Sequence, residues 1–534
     1  MRHITTAIGA AALLAASLAM PASAATPKDT LVIAWNLDNL YTFDPAQIGE
    51  TTTDEIMNNV CDPLLLTSYE SAEKLVPGIA ESWSISEDGR VWTFKIRKGV
   101  KHSPSGNPLT AKDAAWSLQR VVLLNLNSAN IITKWGISKD NVKQVIEAKD
   151  DSTLTVTFDK GYPQSLIGPT VFASRAAFVL DSVEAMKHEV NGDHANKWLG
   201  ANSACAGAYK LRSWAANDTV ILERNDNYWR GQPKMRRVIV RHVPESAAER
   251  LQLEKGDIDM ARVLNGNDLG GIEGGKAAKI VRTPRTQFYY VTFNMNDPIL
   301  SNPKVRQAIK YMVDYDGLEK TVMKYEGRVR QSLVPIGAFG ALSYEEGKPY
   351  KLDLEKAKAL LAEAGHPNGF EKELIVGNAF PYPDLAQHIQ ANAAKIGVKL
   401  NVVTMAYGQV VARHRARNFD MTMSAYYITV PDAHGFVEQM AFNPDNNPEA
   451  KGNAQYPSWR ASFFDKWYNE MTDKALLEKD LKKREAMYKE IQQRHMLDGP
   501  FAYLFQTYRV MGVSNAIKDM KANEDRVFYA TFTK

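Results

Sequence analysis

Residues 425–436, AYYITVPDAHGF, place two tyrosines, one carboxylate and one imidazole within a short stretch. Asp432 and His434 could work as a general acid and base, whereas the rings of Tyr426 and Tyr427 could line a binding surface. No serine or cysteine nucleophile stands in a recognisable elbow beside the acid–base pair. The stretch therefore predicts the wall of a binding site, and an exported hydrolase is the enzymatic alternative.

Two other groups of residues could bind a phosphate or a metal ion. Gly270–Lys276 fits the GxxxxGK pattern of a phosphate-binding loop, but Ala277 stands where a Ser or Thr would ligate magnesium. We expect a glycine-rich surface loop there. His188 and His194 lack a third nitrogen or sulfur ligand, which favours a solvated loop over a metal site. The sequence predicts no catalytic residue, no cofactor and no bound metal.

The N-terminus is typical of a secretory signal. Arg2 precedes a mostly apolar run, and Ala22-Ser23-Ala24 matches the small-x-small pattern of a cleavage site. Residues 1–24 are therefore predicted to be a signal peptide that is cleaved near Ala24. The first cysteine is Cys61, far beyond the cut, so lipid attachment at the cut is not expected. We expect a soluble protein in a bacterial periplasm.

Composition disfavours a nucleic acid as the main partner. Removal of the signal peptide deletes Arg2 and lowers the formal net charge from +4 to +3. A nearly neutral chain with scattered Lys and Arg residues has no basic footprint for nucleic acid. The apolar fraction of 45% suits a globular protein with a full core. The length predicts roughly two to four domains.

The two cysteines, Cys61 and Cys205, have no C-x-x-C or zinc-site spacing. In an oxidising compartment such a pair favours a disulfide bond. Two unpaired buried thiols are the alternative that the sequence leaves open. The prediction is a single disulfide, which would join two segments that are distant along the chain.

Hydrophobic patterns predict a mixed α/β framework. Leu31–Trp35 is a continuous apolar strand, as expected in a sheet covered on both faces. Arg90–Arg97, RVWTFKIR, alternates and indicates a half-buried strand. Thr110 and Asp113 predict a capping box at the start of a helix, and Asp353 is expected to cap another helix. Helices that alternate with strands in the C-terminal half predict a mixed sheet with helices packed on it.

The stretch Val76–Val121 contains the segment VPGIAESWSISEDGRVWTFKIRKGVKH. This stretch is a long and specific match to one family pattern: it resembles the family 5 solute-binding proteins of ABC importers, which include dipeptide-, oligopeptide- and nickel-binding proteins. Further similar blocks follow in family order, among them Gly207–Arg241, QFYYVTFNMNDPILSNPKVRQAIKYMVDYDGL and DLEKAKALLAEAGHPNGF. Together the blocks span nearly the whole mature chain.

The resemblance implies an α/β periplasmic binding protein fold of the large peptide-binder type, with two lobes and three domains. It also implies that Cys61 and Cys205 lie near each other in the core domain, where a bridge would contribute at most on the order of 4–5 kcal/mol. The expected ranges are 26–70, 200–290 and 502–534 for a discontinuous core domain I, 71–199 for an inserted domain II, and 291–501 for domain III, the second lobe.

The function that the resemblance implies is capture rather than catalysis. A monomeric binding protein, not an enzyme, would close its lobes on a small-molecule or peptide ligand. It would deliver that ligand to an inner-membrane ABC permease with cytoplasmic ATPases, without a cofactor. Short peptides or a similar small amphiphilic solute are the expected ligands. Opine-like amino-acid conjugates, sugars and metal chelates are the alternatives within this class.

The resemblance also places the ligand site. In peptide-binding relatives, a Trp and an Asp follow a Phe-Asp strand, and that Asp pairs with the ammonium group of the peptide. Here Phe419-Asp420 is kept, but tyrosines stand where the Trp and the Asp would fall, so the expected anchor is missing. Asp432 is expected to stabilise a turn, and Glu50 is the candidate replacement anchor. The predicted ligand-binding residues are Asn39, Glu50, Thr52, Ala425, Tyr426 and Tyr427.

Overall fold

The computed structural model describes residues 26–72, 74–428, 431–524 and 526–534 of the chain. The predicted signal peptide, residues 1–24 with a cut near Ala24, lies outside the described residues. Among the helices that are described, none combines the length and the apolar composition that crossing a membrane requires. The described residues form a mixed α/β fold.

The strands connect into one large sheet and two smaller ones. Within the described residues the strands are β1 (Thr30–Trp35), β2 (Leu65–Thr67), β3 (Leu75–Pro77), β4 (Ala80–Ile85), β5 (Val91–Ile96), β6 (Ile146–Ala148), β7 (Thr153–Thr157), β8 (Tyr209–Ala215), β9 (Thr219–Arg224), β10 (Arg237–His242), β11 (Met260–Ala261), β12 (Ala278–Phe293), β13 (Gly327–Val329), β14 (Glu371–Gly377), β15 (Lys399–Met405), β16 (Met421–Tyr427) and β17 (Phe501–Ser514).

The helices vary from single turns to five turns in length. Within the described residues the α-helices are α1 (Thr51–Val60), α2 (Ala111–Leu124), α3 (Asn130–Thr133), α4 (Val142–Val145), α5 (Gln164–Ile167), α6 (Ser182–Met186), α7 (Asn196–Leu199), α8 (Ser246–Lys255), α9 (Gly266–Gly274), α10 (Pro303–Tyr311), α11 (Tyr315–Lys320), α12 (Leu354–Glu363), α13 (Tyr382–Ala394), α14 (Tyr407–Arg415), α15 (Ala433–Met440), α16 (Pro457–Arg460), α17 (Lys466–Leu477) and α18 (Leu481–Asp498).

Several elements that the hydrophobic patterns predict are confirmed. All six residues of β1 are buried, and β1 pairs in parallel with β10 and β11, so both edges and both faces are covered. In β5 the alternate residues Trp92, Phe94 and Ile96 are buried. Thr110 and Asp113 form the capping box of α2, and the side chain of Asp353 caps α12. These features could be predicted from local sequence because each depends on residues within one strand or at the start of one helix.

The prediction of a glycine-rich surface loop at Gly270–Lys276 is wrong for most of its length, because the segment through Gly274 belongs to α9. Asn265 caps this helix by accepting a hydrogen bond of 3.0 Å from the backbone of Asp268. Leu269 and Ile272, three positions apart, are buried on its inner face. The N-cap and the buried apolar residues together outweigh the low helix propensity of the glycines.

The large sheet runs through both halves of the molecule, in the order β15-β14-β16-β12-β17-β11-β1-β10-β9-β8. Its central strands, β12 and β17, are antiparallel and pair from Ala278 opposite Ser514 to Thr292 opposite Phe501. We call the body around β1 and β4–β11 the first lobe and the body around β13–β16 the second lobe. The lobes are therefore joined by two long paired strands.

Separate hydrophobic cores lie under different parts of these sheets. In the first lobe, Trp92 and Phe172 belong to a core beneath β4–β7, and Ile33 belongs to another core beneath β1 and β8–β10. In the second lobe, one core contains Leu374 and another contains Phe288. Each lobe therefore has hydrophobic cores of its own. The domain boundaries 26–70, 200–290, 502–534, 71–199 and 291–501 stay a prediction.

Candidate functional site

Helix α1 forms a wall shared by two cavities between the lobes. Asp54 and Asn58, one helical turn apart, line one cavity, and Thr51 and Glu55, also one turn apart, line the other. Glu50 begins the helix as its N-cap and accepts hydrogen bonds from the backbone of the first turn. The local sequence thus builds one helix whose adjacent faces present different polar side chains to the interlobe space.

The first cavity, which we call the Tyr427 cavity, has a volume of about 280 Å³. Its first-lobe lining includes Asp54, Asn58, Thr170 and Arg175, and its second-lobe lining includes Tyr427 at the end of β16. These residues are separated by up to several hundred positions in the chain. The cavity therefore exists only where the two lobes face each other.

The polar atoms of the Tyr427 cavity are only partly paired. A guanidinium nitrogen of Arg175 lies 3.6 Å from an oxygen of Asp54, and Nε of Arg175 donates to Ser128 at 3.0 Å. Asn58 donates to the backbone oxygen of Asp54 at 2.8 Å. Among the described residues, no hydrogen-bond partner reaches Oδ1 of Asn58 or Oγ1 of the buried Thr170. Both atoms are buried polar groups whose hydrogen-bonding capacity the described residues leave unused.

The second cavity, the Arg285 cavity, has a volume of about 230 Å³ and is also formed by both lobes. Arg262 binds both carboxylate oxygens of Glu55, and Tyr529 donates to Glu55 at 2.9 Å. Burial opposes ionisation of Glu55, but Arg262, Arg509 and Tyr529 together outweigh burial and lower the pKa of Glu55. Glu326, on the second-lobe side, has its pKa raised by burial. The cavity therefore contains one strong ion pair and one desolvated acid.

Arg285 and Tyr427 connect the two cavities. The guanidinium carbon of Arg285, which lines the second cavity, lies 5.3 Å from the ring centre of Tyr427, which lines the first. This distance is within the range of a cation–π contact. A guest that extends from one cavity into the other would pass this pair.

The second-lobe wall lies at the carboxyl ends of parallel strands, where α/β proteins commonly bind ligands. Strand β14 is parallel to both β15 and β16, so Tyr427 and Tyr407 lie at the same edge. The backbone of Ala425 donates to the hydroxyl of Tyr407 at 3.5 Å. Tyr407 stacks on Tyr382 with ring centres 5.5 Å apart. Aromatic rings thus surround the end of β16.

The predicted second-lobe residues separate into different environments because side chains alternate along a strand. Tyr427 lines its cavity and is 37% exposed. Tyr426 points the other way and lies against Phe288, with ring centres 6.4 Å apart. Ala425 packs beside the second-lobe core that contains Leu374. Of these three residues, only Tyr427 lines a described cavity.

The predicted first-lobe residues do not line either cavity in the described part of the chain. Asn39 is exposed in a turn, and Thr52 is buried on the inner side of α1. Both carboxylate oxygens of Glu50 accept hydrogen bonds from the first turn of α1, at 2.5 Å from Thr52 and 2.9 Å from Thr53. The acid that α1 turns into the Tyr427 cavity is Asp54, one turn further along.

Sequence reasoning missed the cationic side chains of the site. Arg175, Arg262 and Arg285 come from three segments with no shared motif, so no spacing could have grouped them. Asp54 lies one turn before Asn58, so the two polar side chains share one face of α1, but this helix was not among the elements predicted from hydrophobic patterns.

Asp432 and His434 do not form an acid–base pair. Both carboxylate oxygens of Asp432 accept from Arg484, at 2.6 and 2.8 Å, and the same carboxylate caps α15 through the backbone of His434. The imidazole of His434 is buried, and burial holds its pKa well below the usual range. Asp432 thus stabilises the start of a helix, and its charge is neutralised within the second lobe.

Cys61 and Cys205 form a disulfide, so the predicted bridge is confirmed. Cys61 is the residue that ends α1, and the Cα atoms of the two cysteines are 4.9 Å apart across a separation of 144 residues. The bridge therefore fixes the end of the helix whose other end lies between the cavities.

Metal-ligating side chains are not gathered in this region. Among the described residues, no group of three or more His, Cys, Asp or Glu side chains could hold a metal ion. His188 stacks on Trp198 with ring centres 4.2 Å apart, and His194 lies 3.9 Å from Glu189. Neither histidine lines either cavity.

Comparisons with known proteins agree with a two-lobed binding protein. The chain is 28% identical to the haem-binding protein A of Haemophilus influenzae over 403 residues, which cover 72% of this chain and 71% of that protein. It is 25% identical to the probable D,D-dipeptide-binding periplasmic protein DdpA of Escherichia coli K12, with 94% of this chain and 93% of that protein covered. Both relatives are thus matched over most of their length.

A solved structure shows the same fold. HbpA2 from Haemophilus parasuis matches with a TM-score of 0.81 and 23% identity, and the match covers 94% of this chain and 99% of HbpA2. The α/β fold of a periplasmic binding protein is therefore confirmed. The profile named "Bacterial extracellular solute-binding proteins, family 5 Middle" matches residues 74–448, which is more than half of the chain. The protein therefore belongs to the family 5 bacterial extracellular solute-binding proteins, the solute-capturing components of ABC importers.

Proposed function

We propose that this protein captures short peptides or similar amino-acid conjugates in the periplasm and delivers them unaltered to an inner-membrane permease. The observation that supports this most directly is that both cavities have walls from both lobes. A guest that contacts both walls binds the closed form more tightly than the open form. Closure about β12 and β17 then reports that the protein is loaded.

The chemistry of the Tyr427 cavity suits an amphiphilic, peptide-like guest. Asp54 offers a carboxylate in place of the missing cleft aspartate, and a peptide ammonium beside it would be a paired charge. Asn58 and Thr170 line the same cavity and add polar side chains whose chemistry suits a peptide backbone. The exposed ring of Tyr427 provides an apolar surface for a side chain. Each guest group therefore has a partner of matching chemistry.

The name of one relative supports the peptide class, since DdpA is described as a probable D,D-dipeptide-binding protein. Amino-acid conjugates of the opine type share the ammonium and carboxylate groups of a peptide and fit the same partners. Sugars would leave the charged side chains of the site unpaired. Metal chelates would find no His or Cys among the lining residues of either cavity.

The test of this function is a ligand screen with the mature, ligand-free protein. A library of di- to tetrapeptides and amino-acid conjugates is expected to raise the melting temperature, since ligand at about 100 times Kd adds roughly 2.7 kcal/mol of stability. Small-angle scattering should show a smaller radius of gyration with the same ligands. A library without any effect on melting temperature or radius would contradict the proposal.

A matched pair of variants tests whether Tyr427 forms the ligand-contacting wall of its cavity. Tyr427→Ala is expected to weaken ligand binding with little effect on stability, because Tyr427 is exposed in its cavity. Tyr426→Ala should instead destabilise the second lobe, because it removes packing against Phe288. Mass spectrometry of ligand recovered after incubation should show intact molecules; cleaved products would support the hydrolase alternative.

A further inference from the structure

Arg285 lies where the two lobe-joining strands lose their regular pairing. Pro284 pairs with Tyr508 and Phe288 pairs with Gln506, so three residues of β12 face Thr507 alone. An irregularity of this kind redirects side chains relative to a regular strand. At this point Arg285 reaches the Arg285 cavity. The cation is therefore positioned at the junction of the lobes rather than on one lobe.

The backbone around Arg285 is held by buried groups. The side-chain amide of Gln506, which is fully buried, donates to the backbone oxygen of Arg285 at 3.0 Å and to that of Ile336 at 2.8 Å. The hydroxyl of Thr286 donates to the backbone oxygen of Ile428, in the segment after β16. These contacts connect the irregular segment to the second lobe. A side chain on such a support is preorganised for binding.

The guanidinium of Arg285 contacts a ring face and no acid. It lies over Tyr427, and it forms no ion pair with a carboxylate of the described residues. Stacking occupies the face of a guanidinium and leaves the N–H groups at its edge free to bind a carboxylate with two hydrogen bonds. Arg285 therefore has unused donors directed toward the interlobe space.

The surrounding charges favour an anion. Six Lys and Arg side chains and three carboxylates line the two cavities. Glu55 is already paired with Arg262, whereas the guanidinium of Arg175 lies 3.6 Å from Asp54, beyond hydrogen-bond distance. Glu326 has no cation paired with it among the described residues, and burial raises its pKa. Lys134 lies 3.4 Å from Glu438, so its charge is also offset. Arg285 forms no ion pair with a carboxylate of the described residues, and a guest with a carboxylate would supply one.

We propose that Arg285 determines specificity by binding a carboxylate of the guest, so the ligands are peptides or amino-acid conjugates with a free carboxylate near an apolar group that lies on Tyr427. This inference rests on the proposed function and narrows its ligand class. It attributes the protein's preference for acids over their neutral analogues to one residue on the lobe-joining strands.

The test compares probes that differ in a single group. The pairs are trialanine and its C-terminal amide, Ala-Glu and Ala-Gln, and N-(1-carboxyethyl)alanine and its monoamide. Calorimetric titration of the mature protein should show at least one acid binding about 10-fold or more tightly than its amide partner, as expected for a charge-assisted hydrogen bond. The preference should shrink at high salt.

Variants assign the preference to Arg285. Arg285→Gln is expected to weaken binding of the preferred acid about 10-fold, while the Kd of its amide partner changes by about 2-fold or less. Arg285→Lys keeps the charge without the planar fork and should retain part of the preference. The control is Arg282→Gln, on the same strand but exposed and outside both cavities, which should leave both members of each pair unchanged.

The outcomes separate the two proposals. Amides that bind as tightly as acids to the unmodified protein would overturn the role of Arg285 while the proposed function stands, and this comparison needs no variant. Equal weakening of acid and amide by Arg285→Gln would also overturn it. If no acid, amide or other library member binds at all, the proposed function itself fails.

Discussion

Glu249, on α8, is a buried acid with two unequal oxygen atoms. One oxygen accepts a hydrogen bond of 2.6 Å from the backbone of Val263, whereas the other is buried without a hydrogen-bond partner among the described residues. Burial, which the backbone bonds and Arg262 offset only in part, raises the pKa of Glu249 to about 8. The native state therefore keeps a proton that the unfolded chain releases at about pH 4.3.

This pKa predicts a pH-dependent effect of Glu249→Gln. Between about pH 4.3 and the raised native pKa the native state binds more protons than the unfolded state, so the stability of the parent falls as pH rises. Glutamine at position 249 stays neutral at every pH, so the variant should not lose this stability as pH rises. The urea midpoints of the variant and the parent should coincide at pH 4.5. At pH 8 the variant should have the higher urea midpoint. Glu245→Gln, at the exposed start of α8, is the control. Parallel pH profiles of the variant and the parent would contradict the prediction.

Helix α1 depends on Glu50 at its first turn, although Glu50 is also a predicted ligand residue. Both of its carboxylate oxygens accept backbone hydrogen bonds at the N-terminus of the helix. A cap also interacts favourably with the helix dipole, and removing a cap costs typically about 1 kcal/mol. Because Asp54 and Asn58 lie within the next two turns, the cap also orients the acid that faces the Tyr427 cavity.

Two substitutions at Glu50 distinguish capping from ligand contact. Glu50→Ala should lower the free energy of unfolding by about 1 kcal/mol, and Glu50→Ser should restore most of it, because serine is a good N-cap. Urea unfolding measures both values. If Glu50 acts only as a cap, the serine variant binds ligand normally. A stable serine variant that no longer binds ligand would instead support the predicted ligand contact.

The disulfide acts on the other end of α1. Reduction, or the double substitution Cys61→Ser with Cys205→Ser, should lower the free energy of unfolding by about 2–5 kcal/mol, because the bridge closes a long loop of the unfolded chain. Urea unfolding with and without dithiothreitol gives the value, and the double variant should not respond to reductant. An unchanged midpoint despite two titratable thiols would show that the bridge does not stabilise the first lobe.

The two lobes also contact each other through several polar side chains. Arg484, which is paired with Asp432 in the second lobe, also donates to Ser165 of the first lobe at 3.0 Å. Lys134 lies 3.4 Å from Glu438 across the cleft, and Lys479 donates to the backbone oxygen of Glu87 at 3.2 Å. These contacts exist only while the lobes are together. We therefore expect these contacts to favour the closed form over an open one.

Ser165→Ala should shift that equilibrium without changing the guest's own contacts. It removes one interlobe hydrogen bond, so Kd for any bound library member should rise about 2- to 10-fold, while the melting temperature without ligand stays nearly constant. Ser138→Ala, an exposed serine of the first lobe, serves as the control. Unchanged affinity in both variants would indicate that this contact does not stabilise the closed form.

Much of the framework follows from sequence patterns alone. The buried β1, the alternating β5, the capping box of α2 and the cap of α12 depend on contacts between near neighbours, and a specific motif identified the family. The site depended far more on tertiary structure. The sequence indicated Tyr427 as part of a wall, but it favoured Glu50 over Asp54 and gave no sign of Arg285.

The physical reason lies in chain separation. Hydrophobic periodicity and capping operate over a few residues, so local sequence determines elements and their buried faces. The site joins α1, the irregular segment of β12 and the end of β16, whose residues are brought together only when the sheet forms across both lobes. Which acid faces the cleft, and which cation stands beside Tyr427, was decided by that packing.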